Sequence, residues 1–308
     1  MRQRENRGII GNYQTVTSLS GSGIHSLVDA QQNKGNQTWP SATVPSQIDL
    51  LLVGGGAGGG IPGDGGSGGG GGGGGYVYYQ QNLAFGAGVW TIAVGAGGTP
   101  VSGYSNNGSP STLSGQGNTY TAGGGQRNQS SPGPQTGGLS GQTINGSITN
   151  YTGGASAYPG DCFSRAGGGG AGSAGNGGSA SSATGGNGGP GYSSNISGSS
   201  VNYGGGGGAG AESTGGSGGS GGGGNGEGST ANNSTAGATN TGGGGGGAGG
   251  RCQVAGGVNG KSGGSGIVII RYPNTFGDAA STTGSPTLTN IGGYKIYTFT
   301  GNGTLTFS

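Results

Sequence analysis

An uninterrupted run of eight glycines, Gly68 to Gly75, limits this chain more than any other feature. A stretch without side chains buries little apolar surface, forms no amphipathic face and loses more backbone entropy on ordering than any other residue type. Further runs follow at 204–208 and 242–247, and glycine supplies 93 of the 308 residues. Such a composition ordinarily marks low complexity or disorder. Disordered chains, however, stay in solution through high net charge, and here ten basic and eight acidic residues leave a formal net charge of only +2. A neutral chain of this kind must pack against something, which points to an ordered but unusual architecture. Collagen is excluded, because its glycine falls at strictly every third position with abundant proline, whereas these runs are continuous and there are 11 prolines.

Strand signals lie at both ends of the glycine region. Ile48-Asp49-Leu50-Leu51-Leu52-Val53 runs straight into Gly54-Gly55-Gly56, and its near-continuous apolar character predicts a strand buried on both faces. Tyr76 to Gln80 predicts a second strand. Gly88 to Gly95 predicts a third, with Val89, Thr91 and Ala93 alternating against Trp90, Ile92 and Val94. Gly266 to Tyr272 reads as a strand, and Tyr294–Phe299 with Thr304–Phe307 reads as a hairpin turning at Gly301-Asn302-Gly303.

Between 96 and 265 there is little but glycine, serine, asparagine and threonine. A loop of that length inside a compact domain needs structure of its own. Polyglycine offers one, an extended threefold helix close to polyproline II, rising about 3.1 Å per residue. Helices without side chains approach closely enough for each N–H to reach a neighbouring carbonyl, so buried amides are paired. Flanking strands are then needed to clamp them, with turns such as Ser131-Pro132-Gly133-Pro134 marking reversals.

Residues 1–47 differ from the rest and read as an attachment segment, leaving 48–308 as a glycine-rich domain. Ile24, Leu27, Val28 and Gln31 fall at i, i+3, i+4 and i+7, a short amphipathic helix that stops near Lys34-Gly35, before Trp39-Pro40. Ile24, Leu27, Val28 and Trp39 are its docking candidates. No stretch reaches the roughly 18–20 apolar residues of a membrane span, and the basic start lacks the apolar core of a signal peptide. The expectation is a soluble product made in the cytoplasm. Cys162 and Cys252 flank a glycine-rich segment and read as free thiols or as a disulfide pair; with one histidine they make no structural zinc site without carboxylates.

These segments resemble the glycine-rich domain of bacteriophage tail-fibre and adhesin proteins. Ile48 to Gly56 looks like its opening strand and polyglycine run, and Gly88 to Gly98 like its next strand and glycine turn. Gly108–Leu113 with Tyr120–Gly125 is similar to its following hairpin, and Gly266–Tyr272 to its closing strand. The resemblance covers about 48–308, and Arg7 through Trp39-Pro40 is reminiscent of structural proteins of marine phages and cyanophages. Tyr297 to Phe307 departs from the pattern: it looks like an element that usually precedes the first strand, as if it returned to pair beside 48–53. The resemblance implies a mainly β fold of short strands and hairpins combined with packed polyglycine-II-type helices. It also implies a virion appendage, assembled in the host cytoplasm, with loops that contact the host surface. Other virion proteins would bind its N-terminal segment, and a homo-oligomer is expected, a trimer rather than a monomer.

Chemistry is scarce. The eight carboxylates are scattered with no near pair for acid–base work, and His25 has no nucleophile near it in sequence. Matches to G-x-G-x-x-G arise from glycine abundance alone, and Ala255 to Ser262 misses the phosphate-binding loop at its first glycine. The basic residues form no stripe for nucleic acid, since Arg2, Arg4 and Arg7 are partly balanced by Glu5. Asn145-Gly146-Ser147 matches a glycosylation sequon by chance. The reading is therefore a non-enzymatic protein with no cofactor, no metal and no membrane insertion. Tyr104, Tyr120, Tyr151, Tyr158, Tyr192 and Tyr203, set among serine, asparagine and glycine, are the receptor-binding candidates, because aromatic rings make platforms for sugars at low entropic cost. Their alternative role is to cap the glycine layers internally. A tail-fibre or tail-tip adhesin binding a host glycan or envelope protein is the leading expectation. A capsid decoration protein is the first rival; a filament or ice-binding protein, which needs regularly spaced threonines, is the second.

Overall fold

The computed structural model describes residues 44–61, 68–101, 105–128, 136–158, 164–228, 233–249 and 260–308. The expected helix at 24–32, its docking residues, both cysteines and the turn at 131–134 lie outside them. The fold of the described residues is mainly β and contains no α-helix. A seven-stranded sheet contains β1 (Gln47–Val53), β2 (Val77–Ala84), β6 (Ser140–Ile144), β7 (Ser147–Tyr151), β10 (Ile267–Pro273), β12 (Thr287–Ile291) and β13 (Tyr294–Phe299), in the order β12-β13-β10-β1-β2-β6-β7. A five-stranded sheet contains β3 (Gly88–Ala93), β4 (Ser111–Gly115), β5 (Asn118–Ala122), β11 (Ser281–Thr283) and β14 (Gly303–Phe307), in the order β11-β14-β3-β4-β5. β8 (Tyr192–Ser194) and β9 (Val201–Tyr203) pair as a small hairpin.

Side-chain alternation along the central strands sets the layering. Leu50 and Leu52 of β1, with Val268, Ile270 and Phe299, face Trp90, Ile92, Leu113, Leu305 and Phe307 of the five-stranded sheet. Leu51, Val53, Ile267 and Ile269 point the other way, onto Ile196 and Tyr203 at the β8–β9 hairpin. β1 and β10 are thus buried on both faces, and Leu50, Leu51, Leu52 and Val53 are fully inaccessible. Trp90 anchors the main core, stacked 4.4 Å from Phe85 and donating its indole N–H to the Gly86 carbonyl at 3.1 Å.

The C-terminal pair departs from the expectation. β13 and β14 are not a hairpin: β13 lies between β10 and β12, while β14 crosses to the other sheet between β11 and β3. Nor does this element return beside β1, whose neighbours are β2 and β10. Asn302 sits at the crossing. Its side chain accepts the Val94 N–H at 2.9 Å, so the turn is fastened to the end of β3.

The strands of this sandwich run directly into the glycine region, which forms a hydrogen-bonded array of extended segments. Along 54–60, successive N–H groups donate to three different partners in rotation. Gly54, Ala57 and Gly60 bond to carbonyls of Tyr76, Gly73 and Gly70; Gly55 and Gly58 to Ser109 and Asn106; Gly56 and Gly59 to Gly264 and Lys261. Segments 54–61, 68–75, 166–173, 203–211 and 242–248 are interior to the array. The second of them exchanges backbone bonds with segments 54–61, 123–128, 136–139, 166–173, 203–211 and 242–248, a neighbour on six sides. Close approach is what demands glycine there: a Cβ on Gly71 would sit 1.9 Å from the Gly207 carbonyl oxygen. Fixing a backbone costs roughly 1–2 kcal/mol per residue, and somewhat more for glycine, while a hydrogen bond returns about 0.5–1.5 kcal/mol net. The bonds alone do not offset that cost, so the apolar sandwich that holds the segment ends decides the stability of the whole.

Burial pushes the phenols of Tyr76, Tyr78, Tyr79, Tyr192, Tyr203 and Tyr272 above their ordinary value of 10.0, with Tyr272 raised furthest and opposed further by Tyr297 beside it. A raised folded-state pKa contributes stability that is complete below the unfolded value and is lost as pH climbs from there through the folded values. The protein is accordingly expected to unfold above about pH 10. Tyrosinate absorbance beyond that of the exposed tyrosines should appear at the same pH at which β-structure is lost. Full tyrosinate absorbance with the β-signal intact would contradict this reading of the core.

Candidate functional site

The chain gives the molecule two different ends. β1 begins at Gln47 beside Ala84 of β2, at the end of the sandwich remote from the array, and Val44 packs on the main core there. The described chain therefore enters the fold at that end. At the opposite end, beyond the glycine segments, the chain reverses repeatedly, and the described reversals include 181–184 and 211–214.

A cluster of side-chain chemistry sits at this far end. Ala157 bridges Ala166, Ala166 bridges Ala211, and Thr184 bridges Thr214, so neighbouring segment ends are held in register. That register places Tyr158, Arg165 and Glu212 together. Arg165 donates from Nη2 to the Tyr158 hydroxyl at 3.0 Å, and its guanidinium lies 4.5 Å from the Tyr158 ring centroid. The Glu212 N–H donates to the Arg165 carbonyl at 3.2 Å, and Ser213 and Thr214 N–H groups both reach the Ala183 carbonyl. Tyr158 is 57% exposed, the most open tyrosine among the large exposed side chains. An exposed ring backed by a guanidinium suits contact with a polar, hydroxyl-rich ligand. Glu227, also near this end, is wholly buried and accepts the Gly249 N–H at 3.3 Å. Among the described residues no three histidine, cysteine or carboxylate side chains gather as a metal site.

The six tyrosines chosen from the sequence are not brought to one surface. Tyr104 lies outside the described residues. Tyr120 is half-buried on β5 with its ring 5.9 Å from Tyr78, and Tyr151 ends β7. Tyr192 and Tyr203 face each other across the β8–β9 hairpin; Tyr203 is buried, and Tyr192 packs 6.1 Å from Tyr79. Of the six, Tyr158 is the one described at the far end. Arg165 and Glu212 were not singled out by sequence. Their signal was position: in a region almost without charge, each interrupts a glycine segment where the chain turns, at Ser164-Arg165-Ala166 and Ala211-Glu212-Ser213.

Fold and site together define a class, a β-sandwich that extends into a hydrogen-bonded glycine array and holds polar reversals at its far end. The family model of the glycine-rich domain matches residues 31–273, and the chain belongs to that family. Comparison with curated proteins and comparison with solved structures each find no match.

Proposed function

We propose that this chain is a bacteriophage virion structural protein, a tail-fibre or tail-tip adhesin that attaches to the host cell surface. Residues 1–47 dock it to other virion proteins, and the far-end reversals, Tyr158, Arg165 and Glu212 among them, contact a host glycan or envelope protein. The glycine segments between are packed polyglycine-II-type helices. The threefold rotation of hydrogen-bond partners along 54–60 supports this. At about 3.1 Å per residue, such helices form a spacer of roughly 25 Å between the sandwich and the reversals. The reading has no catalytic step and requires no cofactor.

One observation carries the proposal: the described chain enters the sandwich at one end, at Val44 and Gln47, and the turns, with the Tyr158–Arg165 pair, lie at the other. An element that only decorates a surface needs no such separation. The test is binding of purified protein to intact host cells, with competition against phage adsorption. Saturable binding that blocks adsorption is expected, together with loss of the protein from virions when residues 1–40 are deleted. Folded protein that neither binds nor competes would replace the adhesin reading with capsid decoration.

A further inference from the structure

The perimeter of the glycine array has a chemistry of its own. An interior segment spends its N–H groups on neighbouring backbone carbonyls in rotation. An outer segment lacks neighbours on some of these sides, and amides facing those ways are where a further segment would add. Several of these amides are met by side chains from the flanking outer segment instead. The Ser217 N–H donates to Asn187 Oδ1 at 2.8 Å, Gly218 to Asn225 Oδ1 at 2.9 Å, and Asn225 to Thr235 Oγ1 at 2.8 Å. On other sides, Thr152 donates to Asn176 Oδ1 at 2.9 Å, Ala155 to Ser179 Oγ at 3.2 Å, and Arg127 to Asn107 Oδ1 at 2.8 Å. All six bonds join adjacent outer segments, and in all six the acceptor is a side chain at a position that could have been one more glycine.

We infer that these asparagine, serine and threonine side chains close the perimeter against lateral docking of a second copy of this chain. The argument is the one that applies to an exposed β-edge, where unpaired backbone groups template association unless a device blocks them. Charge is the usual device, and it is weak here, because the whole chain carries a formal net charge of +2. An array with open sides would present to every other copy the same amide and carbonyl spacing that holds its own interior together. A side chain that occupies the outward amide removes the donor and adds bulk where a bare glycine segment would have to approach.

The inference is independent of receptor binding and is tested without a host. In the parent protein the Ser217 and Thr152 amides, although on the surface, should exchange with deuterium at least tenfold more slowly than unbonded surface amides. Asn187→Gly should abolish the protection of Ser217 while leaving Thr152 unchanged. A combined variant, Asn176→Gly, Asn187→Gly and Asn225→Gly, should sediment as species larger than the parent's own assembly and increase with concentration. Ser109→Gly, Ser182→Gly and Ser220→Gly together, exposed serines whose hydroxyls cap no amide, should sediment as the parent does. Folding is checked by the parent-like exchange of interior amides such as Gly72. A folded triple asparagine variant with the parent's sedimentation would overturn the inference, as would unchanged exchange of Ser217 in Asn187→Gly should the triple variant not fold.

Discussion

Gly71→Ala is expected to cost at least about 4–5 kcal/mol and to leave little folded protein at 37 °C, an effect in the range reserved for severe steric damage. The added methyl would lie 1.9 Å from the carbonyl oxygen of Gly207 and 2.8 Å from the amide nitrogen of Gly170. Both contacts are backbone, on segments 203–211 and 166–173, and each of those is bonded on all sides in turn. Nothing can retreat without breaking several further hydrogen bonds. Gly123→Ala is the matched control, because its methyl would meet nothing closer than the Tyr76 ring at 3.7 Å. There alanine should be neutral, or stabilising by roughly 0.4–1 kcal/mol through the unfolded chain. Thermal melts of the two variants decide the matter: similar melting temperatures would mean that the array tolerates expansion and that its glycines are there for some other reason.

Trp90→Ala is the second large effect, about 3–5 kcal/mol for removal of a buried indole. Trp90 is fully buried, stacks on Phe85, and is accommodated by Gly115, where a Cβ would lie 2.6 Å from the indole. The neighbouring backbone is shaped around the ring, so collapse into the vacated space is limited. The variant also asks whether the array stands alone. If the sandwich clamps the glycine segments, amide protection at Gly72 and Gly207 should fall together with the near-ultraviolet signal of the aromatic core. Array amides that stay protected after the sandwich has loosened would show that the hydrogen bonds suffice by themselves.

Much of the sandwich was legible in sequence, because apolar side chains report their surroundings. The run Leu50-Leu51-Leu52-Val53 announced a strand covered on both faces, and the alternation around Trp90 announced a strand covered on one. The β4–β5 hairpin overlaps Gly108–Leu113 and Tyr120–Gly125, where the resemblance implied one. What failed was information carried by turns and by distant partners. Asn145-Gly146 was weighed as part of a glycosylation sequon, yet both residues have positive φ, 46° and 84°, and form the two-residue turn between β6 and β7. The C-terminal strands alternate like a hairpin whichever sheet they join. Long-range pairing with β3 and β11, with the Val94–Asn302 bond at the turn, places β14 in the opposite sheet.

The glycine region hid a different signal. Thr214-Gly-Gly-Ser217-Gly-Gly-Ser220 and Thr184-Gly-Gly-Asn187-Gly-Gly-Pro190 are triplet repeats, with every named residue exposed. A chain without the global period of three that defines collagen thus still carries a local one. The local period marks segments at the perimeter, where one residue in three faces solvent and has room for a side chain. The same logic would have drawn attention to Arg165 and Glu212, since a charge inside such a region has nowhere to go except a segment end.

The ion pair between Asp49 and Arg271 has a temporal consequence. Arg271 Nη2 lies 2.7 Å from Asp49 Oδ2 and donates Nη1 to the Asn195 carbonyl at 3.4 Å, so β1 and β10 are tied directly although 222 residues separate them. Closing a chain loop of that length costs about 5 kcal/mol beyond the constant term. At a synthesis rate of about 5–20 residues per second, the ribosome needs roughly 10–45 s to pass from the first of these strands to the second. Until β10 emerges, β1 has no partner on that side and the glycine segments have only one anchored flank. The glycine region thus waits on the ribosome, and arrival of β10 is the event that lets it order.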